Sequence, residues 1–276
     1  FLINEASWFY KEIIGWYDDI NAGNLLQNFS LRSNLISETL TRNDFRFYPL
    51  AFADLQILSW FTPYVKVWMI FNVIELITTI CLGVCLVRRI TKSPKARELL
   101  LMFSLLFIAT APSAFSYLQF IYSERILTLL FAVYLWNYLT FQNTRSRRSA
   151  NIAMAAALLG SFCKDTAILL FAIPAAATVV GGLLVRNHAR PTIQGDGWRI
   201  WLSNYHFELR TLSLSLFFLV SFLFLTYLPS TIVGEPRYDA ELTMNQFEPD
   251  ARLLFLALFT LWRALSVVRG KNSVTV

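Results

Sequence analysis

The chain has 276 residues, 56% of them hydrophobic and 16% aromatic, with only 15% charged and a mean hydropathy of +0.49. A water-soluble domain carries about 25% charged residues, so this composition excludes an ordinary soluble core and predicts a chain that crosses a membrane several times. The net charge of +6 comes from 24 Lys and Arg against 18 Asp and Glu, but the bases are gathered in short loops between apolar runs, which excludes nucleic acid as the partner.

Residues 1–64 are the polar part of the N-terminal half. Phe1 rather than Met opens the chain, and Phe1-Leu2-Ile3 is expected to be the stump of an earlier span. Ile13, Ile14, Tyr17 and Ile20 recur at near-helical spacing among Trp8, Lys11, Glu12 and Trp16. That pattern predicts amphipathic helices lying on a membrane surface. Within it stands Trp16-Tyr17-Asp18-Asp19-Ile20, a pair of acids set between aromatics. Arg42-Asn43-Asp44-Phe45-Arg46-Phe47-Tyr48-Pro49-Leu50 follows, and Pro63 precedes the first clear span.

A membrane-crossing helix needs about 20 apolar residues. Segments 65–87, 99–118, 120–141, 211–228 and 252–268 meet that requirement. Segment 152–185 is apolar apart from Lys164-Asp165, and as one helix it would reach about 50 Å, against a hydrocarbon core of about 30 Å. It is therefore expected to be a hairpin of two helices turning at Cys163-Lys164-Asp165. The fold expected is all-α: a polytopic transmembrane bundle of about seven spans over 65–268, an extracytoplasmic loop with amphipathic helices over 1–64, and a cytoplasmic tail over 269–276.

Charge orients the bundle. Arg88, Arg89, Lys92, Lys95 and Arg97 fill one loop; Arg145, Arg147 and Arg148 the next; Arg186, Arg190, Arg199 and Arg210 a third. These loops, with Arg269 and Lys271, are cytoplasmic by the positive-inside rule, and the alternation closes only with the hairpin. The opposite face then holds seven acids in 1–64, together with Glu124, Asp165, Glu235, Asp239, Glu241, Glu248 and Asp250, which is 14 of the 18 acids. A bacterial inner membrane, with the active face in the periplasm, is the expected location.

Candidate chemistry lies on that acidic side. Asp18 and Asp19 could take a proton from an acceptor hydroxyl or hold a cation; the bland alternative is a solvated helix end. Glu124 and Arg125 open an apolar run at headgroup depth, where ionisable groups are costly and often functional. Their bland alternative is an anchor, with Glu124 at a helix N-terminus and Arg125 reaching out to headgroups. Lys164 and Asp165, at a turn between apolar helices, suit an anionic headgroup or a leaving phosphate, or simply keep the turn wet. Arg46 and Arg237 are weaker phosphate ligands. Glu75 beside Asn72 is expected to face the bundle interior and make an interhelical hydrogen bond. His188 and His206 receive no role. Cys81, Cys85 and Cys163 form neither a disulfide framework nor a zinc site. No resident cofactor or metal is expected, although Glu124 leaves room for a divalent cation.

The order of these features resembles the GT-C superfamily of polytopic glycosyltransferases, which includes the protein mannosyltransferases and the aminoarabinose transferases. The residues carrying the resemblance are Tyr17-Asp18-Asp19, Arg46-Phe47-Tyr48-Pro49-Leu50, Ser123-Glu124-Arg125 and Lys164-Asp165-Thr166-Ala167-Ile168. The family's segments tend to read Asp-Asp or Asp-Glu, Arg-Pro-Leu, Ser-Glu and Lys-Glu-Thr, so Lys-Asp here is a departure that shortens the acid's reach. The resemblance implies inverting transfer of a sugar from a polyprenyl-phosphate carrier to a glycan, lipid or protein acceptor. Asp18 or Asp19 would be the base, and Lys164, with Arg125 or Arg237, would meet the departing phosphate. Two other classes compete: an O-antigen polymerase or ligase, which would carry an arginine-rich outer face, and a non-enzymatic transporter or scaffold subunit, which would line several spans with polar groups.

Overall fold

A computed structural model describes residues 49–51, 53–62, 65–91, 95–109, 116–117, 123–165, 167–189, 202, 204–233 and 258. Among these residues the secondary structure is all helical, with no strand. In chain order the helices are α1 (Ala53–Phe61), α2 (Val65–Thr91), α3 (Ala96–Ala109), α4 (Glu124–Thr144), α5 (Arg147–Ser161), α6 (Ala167–Ala189) and α7 (His206–Phe222). A five-residue π-turn (Leu223–Tyr227) carries α7 without a break into α8 (Leu228–Val233). Apart from Leu258, the span expected over 252–268 lies outside the described residues, as do the surface helices expected before residue 49.

Local chemistry sets the helix limits. Glu124 stands in the first turn of α4, and Arg88 and Arg89 in the last turn of α2, each favourable to the helix dipole. Arg89 also reaches across to the end of α4: its Nη1 donates to Thr140 Oγ1 at 2.7 Å and its Nη2 to Leu139 O at 3.1 Å, with the guanidinium 5.3 Å from the Trp136 ring. At the end of α4, Arg145 adopts the left-handed conformation (φ 53°) and its N–H bonds to Phe141 O at 2.8 Å. Ser146 is extended and α5 starts at once, so two residues separate the helices.

The predicted hairpin is present as α5, a turn at 162–165 and α6. Its first arm is longer than the apolar run suggests, beginning at Arg147 rather than 152. Arg is a strong helix former, and the helix continues into solvent-facing residues that hydropathy alone leaves out. In the same way α7 begins at His206, five residues before the expected span at 211.

The core is built on α4. Leu127, Tyr134, Tyr138 and Phe141 form one buried stripe, packed against Ala153, Ala156 and Ala157 of α5, Ala167 and Phe171 of α6, and Phe207 of α7. Tyr134 and Tyr138 stack with centroids 5.6 Å apart, Phe171 meets Tyr134 edge-on at 5.2 Å, and Phe207 lies 4.9 Å from Phe141. Small residues at 153, 156, 157 and 160 let α5 approach this aromatic stripe closely, the device by which membrane helices gain van der Waals contact. Gly160 is the tightest point: a Cβ there would meet Phe171 Cε2 and Cζ at 2.5 Å. Gly160→Ala is therefore expected to destabilise the fold by about 1–3 kcal/mol, measured as a lowered unfolding midpoint in detergent. Because Phe171 is pinned by Tyr134 and Phe131, an unchanged midpoint would mean that this packing is looser than described.

Among the described residues much of the exterior is apolar. Ile70, Phe71, Ile74 and Ile77 on α2, Leu169 and Ile173 on α6, and Leu216, Phe217 and Val220 on α7 are all exposed. Two helices are long and apolar enough to cross a membrane, Val67–Ile90 and His206–Tyr227, and Ala167–Gly182 is a shorter apolar helix.

Candidate functional site

One end of the bundle gathers α1, the first turns of α2, the start of α4 and the α5–α6 turn. The link is made by backbone. Leu50 N–H donates to Phe162 O at 3.2 Å, and Cys163 Sγ donates back to Leu50 O at 3.7 Å. The last residue of the Arg46–Leu50 segment thus docks on the Cys163-Lys164-Asp165 turn. Ala51 is buried beside it, and Ala53 N–H closes a turn on Leu50 O at 3.2 Å, which starts α1. Trp68 Nε1 donates to Thr62 O at 2.9 Å and holds the α1–α2 junction.

At the centre of this end lies Arg125, only 2% exposed. Its Nη2 donates to Asp54 Oδ2 at 2.6 Å, and its Nη1 to Glu75 Oε2 at 2.7 Å and Asn72 Oδ1 at 3.3 Å. Asn72 is fully buried and donates through Nδ2 to Tyr117 O at 2.6 Å. The Tyr117 hydroxyl meets Thr79 Oγ1 at 3.3 Å. The guanidinium fork matches two carboxylates from two different helices, which suits Arg and would not suit Lys. Asp54 Oδ1 is buried with no hydrogen-bond partner among the described residues. A pair about one-third exposed stands beside this cluster: Lys164 Nζ donates to Glu124 Oε1, joining the hairpin turn to the first residue of α4.

The geometry sorts the sequence-predicted residues. Glu124 and Lys164 are brought together, 40 positions apart in the chain. Asp165 sits at the adjoining turn and lines a cleft with Ser161, Phe218, Ser221 and Thr226, beside the π-turn. Single π-turns within helices recur at functional sites. Arg125 belongs to the same end but is not a headgroup anchor: it points inward and is engaged by carboxylates. Glu75 faces inward as its sequence context predicts, and its interhelical partner is the Arg125 guanidinium rather than a neutral group. Asp18, Asp19, Arg46 and Arg237 lie outside the described residues.

Sequence reasoning missed Asp54. Its only signal is an acid in the first turn of a nine-residue helix, and its partner is 71 positions away. Formally, Asp54, Glu75, Glu124 and Asp165 supply four negative charges against the two positive charges of Arg125 and Lys164. Arg125 is enclosed between carboxylates, whereas Lys164 is 34% exposed, so Lys164 is the better placed of the two to meet an anion. Among the described residues no three of His, Cys, Asp and Glu converge to hold a metal.

A second polar cluster occupies the other end of α4. Glu208 of α7 is 1% exposed. Its Oε1 accepts from Gln142 Nε2 and, at 3.1 Å, from the Tyr138 hydroxyl, which lies 2.7 Å from Thr178 Oγ1 of α6. The sequence reading places Glu208 in a cytoplasmic connector and gives it no role. His206, two residues earlier, is exposed and meets the Phe141 ring edge-on at 6.0 Å. No protein-family model matches this chain, and no curated protein or solved structure is found to be similar to it.

Proposed function

We propose that the chain is a polytopic membrane glycosyltransferase, moving a sugar from a polyprenyl-phosphate carrier to an acceptor on the extracytoplasmic side of a bacterial inner membrane. The observation that carries this reading is the meeting of Leu50, Glu124 and Lys164 at one end of the bundle. These residues come from three of the four segments on which the resemblance rests. The apolar exterior and the two helices of membrane-crossing length support placement in a bilayer. In the proposed reaction the acceptor oxygen bonds to the anomeric carbon as the carrier phosphate departs. Asp18 or Asp19 takes the acceptor proton, and Lys164 neutralises charge growing on the phosphate. In a low-dielectric setting one such donor lowers the barrier by about 3 kcal/mol. Arg125 orients the site through Asp54 and Glu75 rather than touching phosphate, and Glu124 holds Lys164.

The test uses native mass spectrometry of the full chain in detergent with a polyprenyl phosphate and the matching uncharged polyprenol. Retention of the phosphate alone is the expected result; equal retention of both would overturn the phosphate assignment. In membranes supplied with lipid-linked sugar, either Asp18→Asn or Asp19→Asn is expected to lose transfer at normal expression. Full activity in both variants would remove the base assignment.

A second reading, a transporter subunit, is favoured by one observation. Polar groups line more of the interior than Asn72 and Glu75 alone: Arg125, Glu208, Thr211 and Thr226 are buried as well. Phosphate-dependent binding with no transfer in any membrane assay would favour it.

A further inference from the structure

The Glu208 cluster is remote from the Lys164 end and plays no part in the proposed transfer. Its chemistry is unusual for an apolar bundle. Glu208 Oε2 is buried without a hydrogen-bond partner, while Oε1 receives two neutral donors. Among the described residues it forms no ion pair with Lys, Arg or His; His206 and Arg210 on the same helix are exposed, as is Arg145 at the end of α4. The titratable groups facing it from α4 are the hydroxyls of Tyr134 and Tyr138. From α6 comes Thr178, and from α7 itself Thr211, whose side chain is fully buried and lies within hydrogen-bonding reach of the Tyr134 hydroxyl. A carboxylate withdrawn from water this completely calls for a compensating positive charge, because buried charges are paired or coordinate metals.

We propose that Glu208, with the surrounding hydroxyl oxygens of Tyr138, Thr178 and Thr211, binds a desolvated monovalent metal cation of the sodium class between α4, α6 and α7. The donor set is entirely hard oxygen, which selects alkali and alkaline-earth ions over transition metals. One carboxylate balances one positive charge. A divalent ion would leave a net charge inside the bundle, and divalent oxygen sites ordinarily gather several carboxylates. The aromatic stack of Tyr134, Tyr138 and Phe207 fixes the donors of α4 against α7, so the cage is held by packing rather than by the ion alone. Occupancy ties three helices together and is expected to raise the stability of the whole bundle by mass action.

The experiment uses the full chain purified in detergent without sodium. Sodium, potassium or choline chloride is then added at constant ionic strength and constant pH while the thermal midpoint is followed. A saturable upward shift with an alkali cation and none with choline is expected, together with saturable retention of radioactive sodium displaced by unlabelled sodium. Glu208→Gln keeps the acceptor oxygen for Tyr138 and is expected to lose both responses; Thr178→Val is expected to weaken apparent sodium affinity about tenfold. If Glu208→Gln fails to fold, the radioactive-sodium measurement on the unaltered chain decides alone. Equal shifts with choline, absence of saturable retention, or retention that survives Glu208→Gln would each overturn the proposal. So would a midpoint that rises on acidification and ignores sodium, since a proton would then supply the positive charge.

Discussion

Arg125→Leu is expected to lower the stability of the chain by about 3–5 kcal/mol, the largest single effect among the described residues. Arg125 is 2% exposed and holds two carboxylates, from α1 and α2, at 2.6 and 2.7 Å. Leucine fills much of the volume but leaves Asp54 and Glu75, each largely buried, without the charge that offsets them. The cost is that of stranded charge rather than of a lost contact. A second substitution separates the two: adding Asp54→Asn and Glu75→Gln to Arg125→Leu should recover at least half of the loss, because neutral groups tolerate the same burial far better. Chemical unfolding in detergent, followed by Trp fluorescence, gives the comparison. A loss near 1 kcal/mol for Arg125→Leu, or no recovery in the triple variant, would show that water reaches this cluster. The α1 segment should be the first to detach in the single variant, since Asp54 is its ionic tie to α4 and the Leu50 hydrogen bonds are its other link to the hairpin.

Lys164→Ala should behave in the opposite way. The Lys164–Glu124 pair is about one-third exposed on each side, and pairs of that kind contribute at most about 1 kcal/mol to stability. The unfolding midpoint is therefore expected to stay almost unchanged. Polyprenyl phosphate retention should fall strongly, and transfer about 100-fold or more if Lys164 meets the leaving phosphate. Glu124→Gln sharpens the assignment. Freed of its carboxylate partner, Lys164 should hold phosphate more tightly in that variant; a loss of transfer despite tighter binding would give Glu124 a role toward the acceptor as well. Should Lys164→Ala leave both retention and transfer intact, the turn is a structural device, and the glycosyltransferase reading loses its phosphate ligand.

The helical architecture was legible in the sequence because it follows from local signals. Apolar length placed α2, α4 and α7 to within a few residues, and the arithmetic of helix rise against bilayer thickness required the turn at 163–165. Glu75 beside Asn72 was legible as inward-facing, because an acid in an apolar run has nowhere else to be paired. The meeting of Glu124 with Lys164 was expected only as two residues sharing one side of the membrane; contact between them depends on how α4 and the hairpin pack. Two features were not legible at all. Asp54 looked like one more acid of a polar loop, and it became the partner of Arg125 only because Leu50 docks on the hairpin turn and brings α1 inward. Glu208 looked solvated because hydropathy rises only after residue 211, yet α7 starts at His206 and Phe207 packs into the aromatic stripe, which carries Glu208 inside with it. Both cases share one physical reason. A charge is read from sequence as exposed unless its neighbours are apolar, whereas burial is decided by partners 50 to 71 positions away. Composition and periodicity thus determined that the chain is helical and where it turns; only the tertiary packing decided which of its charges are enclosed.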